Sequence, residues 1–396
     1  MYRNQRTFQH QKPDFRRARP VKAMSTSLLL ATIARSREAY TAGHGSPGDA
    51  GVTHRFVDFP LTPVLQSNIT AKGYVSPMPI QDGVIPAILE GRDVIGTANT
   101  GTGKTAAFLI PFIQKVTDNR AQRVLVIVPT RELAVQIHKE LRDLARGLSV
   151  RSALLIGGAS EWRQKQDVRL DPHFVIATPG RLKEFIEARC IRLSGYRNVI
   201  LDEADRMVDI GFINDIKYFI SLLPKERQSC FFSATISGKV GEILTDFVRN
   251  PVRISVKTHD MVTTIRQDVI RVTPPQTKLN TLYDLLMKRE FEKVLVFGRT
   301  KHGVQRVSDE LTKRGIRTGA LHGNKRQNQR QYVLGQFMRN EIQALLATDV
   351  ASRGLDIPEV SHVINYDLPE TLDDYIHRIG RTGRADKQGV ALTFIE

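Results

Sequence analysis

The segment ANTGTGKT, residues 98–105, carries the residue types that bind phosphate. Thr100, Gly101, Thr102 and Gly103 form a short glycine-bearing turn, and its backbone N–H groups can close around phosphate oxygens. The helix expected to follow would aim its N-terminus at the same anion. Lys104 would reach the β- and γ-phosphates, and the Thr105 hydroxyl would hold magnesium. This chemistry needs a strand before the turn and a helix after it. Asp93 to Gly96 reads as the strand, and GKTAAFLIPFIQKV from Gly103 reads as the helix. The strict pattern places glycine where this chain has Ala98, but both glycines nearest the phosphates are kept.

Hydrolysis of a triphosphate also needs carboxylates, and VILDEAD at residues 199–205 supplies them. An apolar run leading into Asp202 and Glu203 puts both acids at the carboxyl end of a buried strand, where open α/β sheets bind ligands. Asp202 would hold magnesium and Glu203 would orient and deprotonate water. An acidic start to a helix is the plainer reading, since acids stabilise helix N-termini. In HRIGRTGR, residues 377–384, Arg378, Arg381 and Arg384 recur every three residues. Guanidinium groups delivered to a transferring phosphoryl group can accelerate it by ~10³ to 10⁵. A basic turn is the competing reading.

These residues need rigid supports. Short β-branched or apolar runs alternate with helical segments at Asp93–Gly96, Arg123–Val128, Ala153–Ile156, Phe174–Ala177, Val199–Asp202 and Cys230–Ser233. The rhythm restarts at Asp268–Val272, Val294–Phe297, Thr318–Leu321, Ala344–Ala347, Val363–Tyr366 and Val390–Phe394. That alternation predicts two tandem α/β domains, each a mainly parallel sheet flanked by helices. The expected boundaries are a basic extension at 1–54, disordered by composition, a first domain at 55–257, a linker at 258–264 and a second domain at 265–396. Residues 24–40 could form one helix within the extension. Because the sequence stops directly after an expected strand, a second domain truncated before its closing helix is an expectation.

A 396-residue chain exceeds what one core usually spans, in keeping with two domains. With 58 Lys and Arg against 41 Asp and Glu, its formal charge of +17 favours polyanions, nucleic acid first among them. Residues 1–22 hold seven basic residues against the single acid Asp14, which suits a segment that raises nucleic-acid affinity. Two cysteines, Cys190 and Cys230, give no support to a disulfide framework or zinc site, and both read as buried or idle thiols. The single Trp162 reads as packing. No apolar run near the start approaches a membrane span, so a cytoplasmic protein is expected.

With these motifs in order, the chain resembles the DEAD-box ATP-dependent RNA helicases, and a bacterial one, from about Phe56 onward. Phe56, Gly73, Tyr74, Pro77 and Gln81 match the family's adenine-recognising segment. By resemblance Gln81 reads the adenine edge and an aromatic stacks nearby, favouring ATP. Met78 departs from the usual Thr or Ser, which puts an altered adenine contact in view. Further matches are PTRELA at 129–134, the Gly157–Gly158 pair, TPGR at 178–181, SAT at 233–235, Gln327 with Arg330, and TDVASRGLD at 348–356.

The resemblance implies two recombinase-A-like domains with ATP between them and RNA across both. It makes Arg381 and Arg384 arginine fingers and brings Asp356 to the ribose. His377 and Arg378 connect their segment to the phosphates and the SAT motif. Ser233 and Thr235 couple nucleotide state to the RNA face. Pro129, Thr130, Arg131, Gly158, Thr178, Gly180, Arg181, Arg299, Thr300, Gln327, Arg330, Thr348 and Arg353 form the implied RNA set. Several follow strands directly, so loop hydroxyls and guanidinium groups at one sheet edge could grip a phosphodiester. For Thr130 and Thr178 helix capping is an equally physical role.

The expected function is RNA-stimulated ATP hydrolysis coupled to separation of short RNA duplexes or remodelling of RNA–protein contacts. Magnesium and ATP are the expected cofactors, and single-stranded RNA, short duplex and ribonucleoprotein partners the expected ligands of a monomer. The alternatives are a nucleotide-gated RNA clamp with little turnover and a DNA translocase on the same two domains.

Overall fold

Along each central strand, consecutive apolar residues face opposite ways, so a continuous apolar run implies a sheet covered on both faces. The computed structural model describes residues 25–41, 52–98, 101–236, 238–256, 265–274, 276–349, 357, 359–383 and 389–395. In it Val124 and Val126 enter one core while Leu125 and Ile127 enter another.

The first sheet contains β1 (Val94–Thr97), β2 (Val124–Ile127), β3 (Ser152–Leu155), β4 (Phe174–Ala177), β5 (Asn198–Leu201), β6 (Gln228–Ser233) and β7 (Val252–Ser255). All pairings are parallel, in the order β3-β4-β2-β5-β6-β1-β7. The second contains β8 (Ile265–Arg271), β9 (Val294–Phe297), β10 (Thr318–Leu321), β11 (Ala344–Ala347), β12 (His362–Asn365) and β13 (Gly389–Ile395). These too are all parallel, in the order β10-β11-β9-β12-β13-β8. Two parallel-sheet α/β domains are therefore present. The edge strand β7, which the apolar runs did not announce, alternates half-buried and exposed positions.

Connecting helices in the first domain are α2 (Pro63–Ala71), α3 (Pro79–Leu89), α4 (Lys104–Asp118), α5 (Arg131–Leu144), α6 (Glu161–Arg169), α7 (Pro179–Glu187), α8 (Ala204–Ile210), α9 (Ile213–Leu222) and α10 (Gly238–Phe247), after an N-terminal α1 (Thr26–Thr41). In the second are α11 (Lys278–Leu286), α12 (Lys301–Lys313), α13 (Gln327–Met338) and α14 (Leu372–Ile379). Parallel strands need such crossovers, and they place every strand's carboxyl end on the same edge.

The expected disordered extension requires correction at α1. This helix packs on the second domain, where Leu29 and Ile33 are shut into a cluster with Ile265, Tyr375, Ile379, Ala391 and Ile395. Burying two such side chains contributes about 1.5–3 kcal/mol each, and a 16-residue helix is marginal alone, so docking stabilises it. Residues 1–24 and 42–51 of the extension and the 258–264 linker lie outside the described residues. Trp162, expected in a core, is 69% exposed on α6. Cys230 is buried and Cys190 half-buried. No helix among the described residues is long and apolar enough to cross a membrane.

Candidate functional site at the carboxyl edges of the two sheets

The glycine turn leaves β1 and enters α4 at Lys104. Gly101 and Gly103 take φ values of 88° and 85°, a left-handed region costly for other residues. A Cβ on Gly103 would also lie 2.5 Å from Gln81 Nε2. Lys104 is buried and its Nζ donates to the Ala98 carbonyl at 2.7 Å. Ala98 itself is buried in the apolar core, so its methyl faces away from the anion cradle. Thr100 lies outside the described residues.

Gln81 locks the turn to α3. Its Oε1 accepts from Met78 N–H at 2.9 Å, and its Nε2 donates to the Gly103 carbonyl at 3.1 Å. Met78 holds the helix N-cap position without a side-chain acceptor. Phe56 and Tyr74 stack with centroids 6.3 Å apart, and Tyr74 Oη donates to Glu140 Oε1 at 2.6 Å. Tyr74 lines the cavity that also holds Gln81, Gly103, Lys104, Thr105 and Asp202, whereas Phe56 sits behind it. Asp82, which sequence reasoning passed over, accepts from the backbone of both Thr53 and His54 and so anchors the chain entering this domain.

At the end of β5, burial pushes the Asp202 carboxyl up to about 6; Glu203 adds to that and Lys104 opposes it. Glu203 has φ of 52° at the N-cap of α8, and its N–H donates to Asp202 Oδ1 at 3.0 Å. Burial would raise the Glu203 pKa too, but Arg206, Lys104, Arg381 and His377 outweigh it and hold the carboxylate below its ordinary range. Arg206 Nη1 donates to Glu203 Oε2 at 3.1 Å. Thr105 and Asp202 share one cavity and offer hard oxygen donors, one a buried carboxylate that a divalent cation would keep ionised. The donor set fits magnesium.

Asp205 ties this acid run to the SAT turn. Its Oδ2 accepts from Ala234 N–H, Thr235 N–H and Thr235 Oγ1 at 3.0, 2.9 and 3.2 Å, and Asp205 N–H donates to Ser233 Oγ at 3.3 Å. These hydrogen bonds join the acid run directly to residues 233–235. The sequence signal was present in the same run of acids, but the partner lay about thirty residues away.

From the second domain, Arg381 and His377 face Lys104, Glu203, Asp205 and Arg206 across a narrow cleft. Arg381 follows α14 and its Nε donates to the His377 carbonyl at 3.3 Å. Arg378 turns the other way. Its Nε and Nη2 bind Asp349 at 2.6 and 2.7 Å, its Nη1 donates to Asn365 Oδ1 at 3.2 Å and to the Asp367 carbonyl at 2.7 Å, and its guanidinium lies 5.1 Å from the Phe297 ring centroid. It is buried inside the second domain and lines no part of the cleft. A spacing of three therefore does not put Arg378 and Arg381 to one use, because the helix ends between them. Arg384, Asp356 and Arg353 lie outside the described residues.

The remaining polar residues gather over the other half of each edge. Pro129 and Thr130 follow β2, Gly157 and Gly158 follow β3, and Thr178, Gly180 and Arg181 follow β4. Thr130 Oγ1 accepts from Leu133 N–H at 3.4 Å and caps α5, while Thr178 Oγ1 donates to the Leu155 carbonyl at 3.5 Å. Arg131 fills the space over the glycine pair: a Cβ on Gly158 would lie 2.7 Å from its Nη1. Burial lowers the Arg131 pKa, and neighbouring Arg330 and Arg181 add to this despite Glu132 and Glu184. Arg181 pairs with Glu184 at 3.0 Å.

Across from these, Arg330 Nε donates to Glu132 Oε1 at 2.7 Å, a buried ion pair between the two domains. Gln327, at the start of α13, is buried with neither side-chain polar atom hydrogen-bonded, and its Cβ lies 3.7 Å from where a Gly158 Cβ would stand. Arg299 and Thr300 follow β9 and are exposed, with Thr300 Oγ1 accepting from Gly303 N–H at 3.0 Å. Thr348 follows β11, half-buried, and its N–H donates to the Leu321 carbonyl at 3.3 Å.

A glycine turn, paired acids and a facing arginine on two tandem parallel sheets define a nucleic-acid motor ATPase core, and the sequence matches follow that division. Residues 78–243 match the DEAD/DEAH box helicase family and residues 277–386 the helicase conserved C-terminal domain. The chain belongs to the DEAD-box ATP-dependent RNA helicases. It is 41% identical over 345 residues to the DEAD-box ATP-dependent RNA helicase CshA of Bacillus licheniformis, covering 87% of this chain and 71% of that one. The CshA of Bacillus subtilis is 40% identical over a similar span, 87% of this chain and 70% of the relative. S. cerevisiae Dbp5 bound to RNA and ADP BeF3 superposes with a TM-score of 0.76 at 28% identity, covering 86% and 89% of the two chains. Mss116 bound to ssRNA and UDP-BeF superposes at 0.77 with 29% identity, covering 86% and 74%.

Proposed function

We propose that this helicase hydrolyses ATP in a cleft closed jointly by nucleotide and single-stranded RNA, and uses closure to separate short RNA duplexes or remodel RNA–protein contacts in the cytoplasm. The observation that carries the reading is the placement of Arg381, from the second domain, opposite Glu203 and Lys104 in the first. Gln81 and Tyr74 would receive adenine, and Gly101, Thr102, Gly103 and Lys104 the phosphates. Thr105 and Asp202 would hold magnesium, whose charge would offset that of the phosphate oxygens. Glu203 orients water and takes its proton as the water oxygen bonds to the γ-phosphorus and the bond to the bridging oxygen breaks, leaving ADP and phosphate. Arg381, and by family resemblance Arg384, would stabilise charge on the transferring group. Asp205 and the Ser233–Thr235 turn relay the state of the acids toward the RNA edge.

RNA would lie across the residues following β2, β3 and β4 in one domain and β9, β10 and β11 in the other. The Arg330–Glu132 pair crosses between these two groups. Neither ligand alone supplies the full difference in binding energy between open and closed arrangements, so each favours the other.

The test is ATP turnover with no nucleic acid, with single-stranded RNA and with DNA of equal sequence, for the natural chain and for Glu203→Gln. RNA should stimulate turnover and DNA should not, because the 2′-hydroxyl distinguishes them. Glu203→Gln should lower turnover by about 10²–10⁴ while retaining ATP-dependent RNA binding. Undiminished turnover in that variant removes Glu203 from the reaction. Equal stimulation by DNA overturns the RNA assignment, and ATP-gated RNA binding without turnover in the natural chain points to a clamp.

A further inference from the structure

Helix α1 lies outside both helicase family matches, yet it is packed against the helix that leads to Arg381. Leu29 and Ile33 are four residues apart, on one face of α1. They are buried in a single apolar cluster with Tyr375 and Ile379 of α14, also four apart, and with Ile265, Ala391 and Ile395 of strands β8 and β13. Tyr375 Oη donates to Gln267 Oε1 of β8 at 2.9 Å, so this face of α14 is held by hydrogen bonding to the sheet and by apolar packing.

A neighbouring side of α14, roughly 60–100° around the axis from Tyr375 and Ile379, is held by Arg378 through Asp349, Asn365 and the Asp367 carbonyl. At 3.6 residues per turn, Tyr375 and Ile379 on one side and Arg378 on another together determine the helix's rotation about its axis. Arg381 comes two residues after Ile379, and its N–H donates to the Arg378 carbonyl at 3.2 Å. A small rotation of α14 would thus carry the Arg381 guanidinium away from Glu203. In the first domain Thr53 and His54 bind Asp82, the neighbour of Gln81.

Resting on the finger role assigned to Arg381, we infer that α1 is a positioning element for the reaction. By seating Leu29 and Ile33 on Tyr375 and Ile379, the N-terminal extension sets the orientation of the helix that delivers Arg381. This gives the extension a part in ATP hydrolysis separate from any attraction of its basic residues to RNA.

The experiment compares the full chain with Leu29→Asp plus Ile33→Asp, and with the conservative Leu29→Met plus Ile33→Val. It reads RNA-stimulated kcat, KM for ATP and amide hydrogen exchange. The double Asp variant should lower kcat by about fivefold or more and leave KM for ATP within about twofold, because the nucleotide-contacting residues described belong mainly to the first domain. Amides of Leu372–Ile379 should exchange faster while those of β9 and β11 stay protected. The conservative pair should restore all three readouts. Unchanged exchange in α14 overturns the docking itself, whatever the ATPase does. Faster exchange in α14 with unchanged kcat overturns the positioning role, and deprotection spreading to β9 and β11 reduces α1 to a general fold component. Failure of the finger assignment would show separately, as normal turnover in Arg381→Ala.

Discussion

The two sheets share one winding but put the equivalent edge positions to different uses. In the first, the loop after β1 is the glycine turn with Lys104, and β5 runs into the buried acids Asp202 and Glu203. In the second, β8 stands where β1 does, but residues 272–277 after it contain no glycine. The strand β12 takes the place of β5, yet Asp367 beyond it accepts from the Arg299 N–H at 2.8 Å. Its carboxylate holds a loop instead of facing a cleft. The other half of each edge is alike: Thr130 after β2 and Thr300 after β9 cap their helices in the same way, beside Arg131 and Arg299. On the proposed reading, nucleotide chemistry uses one complete half-edge plus an arginine from the other domain, while a nucleic-acid backbone is gripped by two similar half-edges. A site split this way would work only when the domains meet, with closure as its controlled step on that reading.

The largest test of this contrast is Arg381→Ala. Turnover should fall by about 10³-fold, with ATP binding much less affected because the guanidinium belongs to the domain without the glycine turn. Equal losses of turnover and ATP binding, measured by single-turnover kinetics and nucleotide titration, would erase the distinction between the two edges.

A smaller effect is expected at the join between the alike halves. Arg330→Ala leaves Glu132 buried without its partner, a loss of about 3–5 kcal/mol where such pairs are broken. The RNA concentration giving half-maximal ATPase stimulation should rise by about 10²-fold or more. An unchanged half-maximal concentration would mean that RNA binding does not require this meeting of domains. Smallest is Met78→Thr, which supplies the side-chain acceptor missing at the start of α3. It should stabilise the first domain by about 1 kcal/mol, read as a higher unfolding midpoint, and lower the KM for ATP modestly through the Gln81–Gly103 contact. A lowered midpoint would show that Met78 is needed where it stands, against the turn.

Most of the strands were legible because buried parallel strands are nearly continuous apolar runs. The exception, β7, is a short edge strand whose alternating half-buried residues resemble the polar stretch beside it. Helix α1 was legible only as a helix of limited apolar face. Its two buried residues make sense once Tyr375 and Ile379, more than three hundred positions away, are seen beneath them. Trp162 went the other way, since a lone large aromatic usually packs but α6 leaves it outside.

By itself the sequence determined what depends on local chemistry: the glycine turn, the acids at a strand end, the basic character and the two rounds of alternation. Each of these is a relation among residues within about a dozen positions, where chain geometry leaves little freedom. Only the tertiary structure decided that Asp205 holds the SAT turn, that Arg378 is spent inside its own domain while Arg381 faces Glu203, and that Arg330 meets Glu132. Those outcomes depend on which way a helix face turns and on how two separately folded domains meet. No spacing along the chain encodes either.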